Sequence, residues 1–297
     1  MKNKIFAIIL IISTLFSVSF GQTTPQLFAE GVISEQANDE LFITFTPDMK
    51  TLFFTKRVSG GVFTIHFSEK KNSTWTTPQV APFSGKFKDQ APFVSPDGKK
   101  LFFYSNRPLQ GDKPKEDNDI WMVKRIKNGW SEPENLGAPV NSNLNEAHPS
   151  VDKQGNLYFW ILEETADGFG HSDIFVSKFI KGKYQKPENV GNVINSKYYE
   201  SSAFISPDGK FMIFCRDDVP GDLGKADIYI SYFRQNQWTK PVHLGEGINS
   251  PVYDFAPLIS PDKKYLFFSS NRTAKAGEMG RQNIYFVQVK DLGLKLK

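Results

Sequence analysis

Short apolar runs alternate with polar turns along most of the chain, and one turn of defined composition recurs five times. Its clearest copies read Ser-Pro-Asp-Gly-Lys at residues 95–99 and 206–210, and short apolar runs at 101–103 and 212–214 follow them. Weaker copies lie at residues 46–50, 152–156 and 260–264. The third turn position falls at residues 48, 97, 154, 208 and 262, with spacings of 49, 57, 54 and 54. A period near fifty residues predicts a repeat architecture.

Each repeat contains four candidate β-strands. In the second copy they are predicted at residues 91–95, 100–105, 119–124 and 130–133. The third strand begins with an Asp-Ile-aromatic pattern at Asp119, Asp173 and Asp227, where we expect the aspartates to bond local backbone. The fourth strand follows an aromatic-x-x-Pro pattern, as at Trp75 and Trp238. Proline indicates an outer strand, which needs fewer ladder donors.

The chemistry of the repeated turn is specific. Proline presets φ at the second position, Asp bonds the backbone, and Gly accepts the positive φ that follows. Copies one and five carry Met49 and Lys263 in the place of glycine. These two turns should therefore either change type or carry strain of roughly 1 kcal/mol.

Four antiparallel strands per repeat, repeated radially, are typical of a β-propeller. The chain ends just after a third strand at residues 283–289, so the fifth repeat lacks its outer strand. Residues 25–34 resemble residues 241–250, the fourth-strand segment of the preceding copy. We expect the N-terminal segment to complete the fifth blade and to close the ring, which removes an exposed sheet edge. The predicted fold class is all-β, a five-bladed β-propeller with four antiparallel strands per blade.

The N-terminus predicts export from the cytoplasm. Lys2 and Lys4 precede an apolar run at residues 5–16, and small residues at 17–21 suit cleavage before Gln22. We therefore expect a signal peptide at residues 1–21, a propeller at residues 22–297 and a periplasmic or secreted location. Cys215 is the only cysteine, so no intramolecular disulfide can form, and its place within a strand predicts a buried small hydrophobe.

The charge balance excludes two classes of partner. The chain has 36 basic and 32 acidic residues, and the net charge falls from +4 to +2 once Lys2 and Lys4 are removed. So small a charge gives no reason to expect nucleic acid or an anionic membrane surface as partner. We expect a monomer that does not insert into a membrane after cleavage of the signal peptide.

The combined motifs resemble a known repeat. An acidic residue, a proline, the Ser-Pro-Asp-Gly-Lys turn, an aromatic strand, Ser-Asn-Arg and Asp-Ile-aromatic together resemble the TolB-like, WD40-like β-propeller repeat of bacterial envelope proteins. Ser-Asn-Arg stands at residues 105–107 and 270–272, whereas copy three has Trp-Ile-Leu at 160–162. The resemblance covers essentially the whole mature chain. It implies a periplasmic or secreted propeller, often a binding or scaffold module.

A carboxylate stands eight positions before the third turn position in every repeat. These five residues are Glu40, Asp89, Glu146, Glu200 and Asp254. We expect them at one mouth of the central channel, either as a cation or ligand site, as a catalytic carboxylate pair, or as structural ion pairs. Four arginines at the ends of second strands are the candidate partners: Arg57, Arg107, Arg216 and Arg272. A carboxylate that is repeated in every blade favours the interpretation as structural ion pairs, because active sites tend to break symmetry.

The loops between second and third strands break the symmetry. Those of blades two, three and four are longer than that of blade one and acidic, at residues 108–118, 163–171 and 217–222. Loops on a rigid scaffold commonly carry binding residues. None matches the EF-hand pattern, so we expect no cofactor, with Ca²⁺ as the remaining alternative. Tyr199, Tyr253 and His148 flank the carboxylates and are further candidate binding residues.

Three functional hypotheses follow. The leading one is an exported, non-catalytic propeller that binds an envelope protein or a glycan through its acidic, loop-bearing face. The alternative is a glycan-active hydrolase that uses a pair of ring carboxylates, roughly 5 Å apart for retention or about 6.5–9.5 Å for inversion. A Ca²⁺-stabilised adhesion module is the third, and an unchanged Tm with chelator would exclude it.

Overall fold

The protein is a five-bladed β-propeller. The computed structural model describes residues 23–35, 37–58, 60–273 and 280–296, and its five main antiparallel sheets follow one another along the chain, one per repeat. This confirms the fold class predicted from the repeat. The predicted signal peptide at residues 1–21 lies outside the described residues.

The strands are short and regular in the inner part of each blade. A first strand, β1 (Gln26–Leu27), precedes blade one. Blade one contains β2 (Asp39–Phe45), β3 (Thr51–Arg57), β4 (Thr64–Lys71), β5 (Thr74–Trp75) and β6 (Gln79–Val80). Blade two contains β7 (Asp89–Val94), β8 (Lys100–Ser105), β9 (Asp119–Ile126), β10 (Gly129–Trp130) and β11 (Glu134–Asn135). Blade three contains β12 (Glu146–Val151), β13 (Leu157–Ile161), β14 (Asp173–Ser177), β15 (Phe179–Ile180), β16 (Lys183–Tyr184) and β17 (Glu188–Asn189).

The last two blades follow the same plan. Blade four contains β18 (Tyr199–Ile205), β19 (Phe211–Asp217), β20 (Ala226–Arg234), β21 (Gln237–Trp238) and β22 (Val242–His243). Blade five contains β23 (Asp254–Ile259), β24 (Tyr265–Ser270) and β25 (Asn283–Gln288), and a 3-10 helix (Val289–Leu292) follows it. The first strands of neighbouring blades contact one another, so they line the centre. Among the described residues, no helix is long and apolar enough to cross a membrane.

The outer strand differs from the single strand predicted for each blade. In blade two it consists of β10 and β11, which both pair with β9 and flank Pro133. Proline lacks the N–H that a continuous ladder needs, so the strand breaks there. In blade three, β15 and β16 form a separate two-stranded sheet, and only β17 pairs with β14.

The two ends of the described chain meet at blade five. Gln26 and Leu27 of β1 pair with Phe286 and Tyr285 of β25, which makes β1 the outer strand of that sheet. The Glu40 N–H of blade one donates to the Gln282 carbonyl at 2.8 Å. The wider expectation, that the N-terminal segment is what closes the ring, stays a prediction.

Every first strand carries a bulge at the same position. The pairing register shifts there in all five blades, and the non-glycine residue at the bulge adopts a positive φ of 48–57°. Neighbouring blades satisfy some of the freed amides: Thr55 Oγ1 accepts from Ala91 N–H at 3.0 Å, and Ser269 Oγ accepts from Phe42 N–H at 3.1 Å. The bulges therefore join blade to blade.

The repeated turns have the hydrogen bonds that their residue types predict. Ser95 Oγ donates to Asp97 Oδ1 at 2.6 Å, and the same oxygen of Asp97 accepts the Lys99 N–H. Gly98 has a φ of 71°. Met49 and Lys263, which replace the glycine, both keep a positive φ of 57°. The turn type is thus retained in these copies, and the strain alternative applies.

Aromatic side chains fill the spaces between blades. Trp130 of blade two packs edge-on against Phe53 of blade one, with ring centroids 5.7 Å apart. Phe54, Phe103 and other rings are wholly buried within the sheets. Cys215 is also fully buried, and burial raises the pKa of its thiol, as expected of a small hydrophobe in the core.

Candidate functional site

All five ring carboxylates are removed from solvent. Each stands at or next to the beginning of a first strand, and each has an exposed fraction of 0%. In several blades their backbone N–H joins the preceding blade, as when Asp89 N–H donates to the Phe63 carbonyl at 3.0 Å and Glu200 N–H to the Ser172 carbonyl at 3.0 Å. The first-strand position thus serves contact between blades.

Three of the five carboxylates are paired with the expected arginine. The pairs are Arg107–Asp89 at 2.7 Å, Arg216–Glu200 at 2.9 Å and Arg272–Asp254 at 2.6 Å. Each arginine also donates to a backbone carbonyl in the segment that leads into the first strand; for Arg107 this is Phe83, at 3.0 Å. Each pair therefore fixes the segment between two blades.

Blade one uses a different pairing from the one the sequence suggests. Arg57 binds Asp39, with Nη2 2.7 Å from Oδ2, and not the ring carboxylate. Glu40 instead has Lys56 Nζ at 3.5 Å and accepts the Glu35 N–H. Burial outweighs these contacts and raises the pKa of Glu40 to about 7.

Blade three has no cation beside its carboxylate. Glu146 Oε1 accepts from the hydroxyl and the N–H of Ser142, and its Oε2 has no hydrogen-bond partner among the described residues. Burial raises the pKa of Glu146 to about 7. The departure matches the sequence, where this copy lacks the Ser-Asn-Arg motif.

A second set of residues, which recurs in the sequence as an Asn-Ser dipeptide, supports the ring carboxylates. Asn-Ser recurs at residues 141–142, 195–196 and 249–250. Each serine hydroxyl donates to the ring carboxylate of its blade. Each asparagine side chain bonds both backbone groups of the isoleucine in the third strand; Asn141, for example, binds the N–H and carbonyl of Ile120, both at 2.9 Å. The signal was available as a dipeptide at a fixed distance before the carboxylate.

Two of the three aspartates at the start of third strands, Asp173 and Asp227, bond local backbone as expected. Asp119 instead accepts from Lys115 Nζ at 2.7 Å and from Asn135 Nδ2 at 2.9 Å. Asp173 Oδ2 accepts from the Phe169 N–H at 2.6 Å and from Asn189 Nδ2 at 2.9 Å. Asp227 does the same with the Leu223 N–H, and His243 takes the place of the asparagine, with Nε2 2.9 Å from Oδ2.

One cluster in blade four has the residue types of a metal site. Asp222, Asp227 and His243 present ligand atoms within 4.8 Å of one another. His243 Nδ1 accepts the Gly245 N–H at 3.1 Å, so the proton of a neutral ring lies on Nε2 and is donated to Asp227. A metal at Nε2 would require the opposite tautomer and would set two N–H groups against each other at Gly245. These residues fit a hydrogen-bonded loop better than a metal centre.

His148 lies inside the propeller rather than on its surface. It occupies the bulge of β12, is 9% exposed, and packs against Phe42 with ring centroids 5.3 Å apart. Burial lowers the pKa of His148 to about 4. The cavity that Phe42 and His148 line with the prolines of the first strands measures about 10 Å³, at the lower limit for one water molecule. The centre of the propeller is filled at this level.

Tyr199, His171 and Tyr253 are accessible aromatic groups on the same side of the propeller as the ring carboxylates. Tyr199 stacks on His171, with centroids 4.9 Å apart and planes 21° apart. Tyr253 is 42% exposed. Main-chain contacts join Tyr199 to Ser172 and Tyr253 to Ala226, so both tyrosines adjoin the loops that lead into third strands. We call this surface, made of the second-to-third-strand loops and the segments leading into first strands, the loop face.

Asp217 is a further titratable group on the loop face. It ends β19, opposite Tyr199, at the position of the asparagine in Ser-Asn-Arg. Asn106 and Asn271 accept a backbone N–H there, whereas Asp217 Oδ1 is buried without a partner among the described residues. Burial, followed by the nearby charges of Asp218 and Glu200, raises the pKa of Asp217 to about 7. Sequence comparison of the copies could have singled out this replacement.

Comparison with known proteins supports the fold class. No protein-family model and no curated protein sequence matches this chain. The fold is similar to that of a glycoside hydrolase, with a TM-score of 0.57 at 10% identity, covering 91% of this chain and 90% of that one. An arabinanase from Bacillus subtilis has a TM-score of 0.52 at 12% identity, covering 87% and 96%.

TolB from Acinetobacter baumannii is also similar in fold. Its TM-score is 0.51 at 16% identity, and the match covers 84% of this chain and 54% of the TolB chain. This chain thus spans about half the length of TolB. The β-propeller expected from the resemblance is confirmed, while membership of the TolB-like repeat family in particular stays a prediction.

Proposed function

We propose that this chain recognises a glycan through the loop face. The proposal rests on a difference in exposure on this side of the propeller. The five ring carboxylates are fully buried and bonded within the protein, whereas Tyr253 and the Tyr199–His171 stack are accessible to solvent. Aromatic rings offer the apolar faces on which a sugar can stack, and the polar loops around them offer hydrogen bonds to its hydroxyl groups.

Binding to a panel of immobilised glycans tests this proposal. The wild-type chain should retain at least one glycan, and Tyr253→Ala should weaken that binding about tenfold or more, since a stacking contact is lost. Leu109→Ala is the matched control, because Leu109 is an exposed hydrophobic residue on a loop of the same face in blade two. Equal binding by wild type and Tyr253→Ala would contradict the proposed location.

Hydrolysis of a glycan is the second candidate. Glycoside hydrolases and arabinanases are among the solved structures with this fold, which is a link at the level of fold only. The specific observation in its favour is Asp217, whose raised pKa of about 7 keeps the carboxyl protonated near neutral pH, as a general acid requires. The buried ring carboxylates do not meet this need, because a catalytic group must touch the substrate.

Release of reducing ends from arabinan and related polysaccharides tests the second candidate. If Asp217 is the acid, Asp217→Asn should lower the rate about a hundredfold or more, and wild-type activity should fall above pH 7. Asp112→Asn is the control, because Asp112 is an exposed carboxylate that pairs with Lys86 on a loop of the same face in blade two. Glycan binding without any release of sugar would leave recognition as the function and exclude hydrolysis.

A further inference from the structure

A groove opens between blades three and four at the surface of the described residues. Its volume is about 700 Å³, within the range of small-ligand sites. It extends from the repeated turns of blades three and four, at residues 152–156 and 208–209, to residues 190–193, which lead into the first strand of blade four. Phe233 and Trp238, in the hairpin of β20 and β21, lie at the end near the turns. Tyr158, Phe233 and Trp238 supply its aromatic lining.

Phe233 marks this groove as a departure from blades one and two. Blade three also has a phenylalanine at this position, Phe179, which pairs with Tyr184 and has Lys100 over its ring at 5.1 Å. In blades one and two the hairpin tryptophan is covered by the cation paired with it: Lys70 lies over Trp75 at 5.7 Å, and Arg125 lies over Trp130 at 5.2 Å. In blade four the equivalent partner of Trp238 is Phe233, which meets it edge-on at 5.1 Å.

Phe233 is 40% exposed, so an apolar ring faces solvent where two other blades present a charge. An exposed ring at a position that blades one and two fill with lysine or arginine is not needed for the scaffold.

The polar groups of the groove are mainly amides. Asn192, Asn236 and Gln237 are exposed, and their side chains make no hydrogen bond within the part of the chain that the structure describes. Tyr158 is half-buried, and burial raises the pKa of its phenol to about 12, so the group is a neutral donor. Amides and phenols both donate and accept hydrogen bonds, as sugar hydroxyl groups do.

The charged groups of the groove already have partners. Lys178 and Glu188 are 2.8 Å apart. Asp152 accepts hydrogen bonds from two backbone N–H groups and from Asn156 Nδ2, and Asp208 accepts from Ser206 Oγ. No basic side chain is left to hold an anionic ligand among the described residues of the lining. The groups that remain free are neutral.

We propose that this groove binds a neutral oligosaccharide. The Phe233 ring and the exposed part of Trp238 form the platform on which a sugar ring stacks, and Asn192, Asn236 and Gln237 bond its hydroxyl groups. The Phe233–Trp238 platform is separate from Tyr253 and from the Tyr199–His171 stack, so each can be removed without the other.

Isothermal titration and tryptophan fluorescence with neutral arabino-, xylo-, manno- and cello-oligosaccharides test the site. Phe233→Arg restores the arrangement of blade two, so the hairpin should still fold while the platform is lost. We expect at least one oligosaccharide to bind the wild type and to quench its fluorescence, and Phe233→Arg to weaken binding at least tenfold. Asn236→Ala should weaken binding, and Arg125→Ala, the same hairpin position in blade two, should leave it unchanged.

Two results would overturn the site. One is the absence of binding by every neutral oligosaccharide, including the case in which a proline-rich peptide binds instead. The other is binding that Phe233→Arg leaves intact. Tyr253→Ala separates this proposal from the loop face, because it should not change binding in the groove. Loss of binding in Tyr253→Ala alone would place the ligand on the loop face and exclude the groove.

Discussion

Equivalent carboxylates in neighbouring blades differ in what surrounds them. Asp89 is neutralised by Arg107, whose guanidinium lies over the rings of Phe103 and Trp121. Glu146 occupies the same position in the next blade, and its side chain accepts hydrogen bonds only from Ser142 among the described residues. A buried carboxylate without a cation favours its neutral form, so these two residues should respond to mutation and to pH in different ways.

Arg107→Ala should strongly destabilise the propeller. It leaves the Asp89 charge buried and unpaired, a change that typically costs about 3–5 kcal/mol. Arg57→Ala is the control, because Arg57 is 40% exposed and the buried Asp39 keeps Arg281 at 3.4 Å and the Gln282 N–H at 3.1 Å; this change should cost about 1 kcal/mol or less. Urea unfolding of both variants measures the difference. Similar losses of unfolding free energy in Arg107→Ala and Arg57→Ala would contradict the conclusion that the buried, unpaired charge causes the destabilisation.

Glu146→Gln should change how stability depends on pH. The pKa of Glu146 in the folded state, about 7, lies above its ordinary value of 4.5. The folded state therefore binds an extra proton in this range, and stability falls as the pH rises from 4.5 to 7. The glutamine variant has no carboxyl group to titrate at this position. Its free energy of unfolding should therefore rise relative to that of the wild type by on the order of 3 kcal/mol between pH 4.5 and pH 8. Unfolding curves across this range provide the measurement. Parallel pH profiles for wild type and variant would exclude the raised pKa.

At the scale of elements, the repeated turn is more uniform in structure than in sequence. Gly98 and Gly209 adopt φ values of 71° and 70°, and Met49 and Lys263 adopt 57° in the same place. The neighbouring strands and the aspartate of the turn hold the conformation even where the residue opposes it. The strain of the positive φ is confined to the turn, so a substitution by glycine should relieve it.

Lys263→Gly should stabilise the turn relative to Lys263→Ala by about 1 kcal/mol, because only glycine relieves the positive φ. Both variants remove the bond from Lys263 Nζ to the Leu296 carbonyl, so the alanine variant is the matched reference. Thermal or urea unfolding gives the difference in free energy. An alanine variant as stable as the glycine variant would show that the turn is not strained.

At the scale of the whole molecule, the features shared by all blades build the scaffold, and candidate sites lie where one blade departs from the rest. The carboxylates, bulges and turns recur and are engaged in contacts between or within blades. Asp217 stands where blades two and five have an asparagine, and Phe233 stands where blades one and two have a cation. The buried Oδ1 of Asp217 has no partner among the described residues, and the Phe233 ring is exposed to solvent. Repetition serves packing, and departure from it leaves side chains free for a ligand.

Export also belongs to this scale and stays a prediction. Residues 1–21 should direct the chain out of the cytoplasm and be removed. Fractionation of cells, with N-terminal sequencing that begins at Gln22, would support this expectation. An uncleaved chain, with Lys2 and Lys4 still present, found in the cytoplasmic fraction would contradict this expectation. The expected monomer and the absence of a cofactor likewise remain to be tested.

The sequence by itself determined the period, the number of blades and the position of the inner strands; the predicted strand at residues 100–105 coincides with β8. These features depend on turn chemistry and apolar alternation, which act over a few residues. Only the tertiary structure decided that Arg57 forms its ion pair with Asp39, that His148 is buried, and that a groove opens beside Phe233. Asp39 and Arg57 lie 18 residues apart on two strands of one blade, whereas the burial of His148 and the groove beside Phe233 depend on neighbours from other blades. No local pattern encodes such contacts.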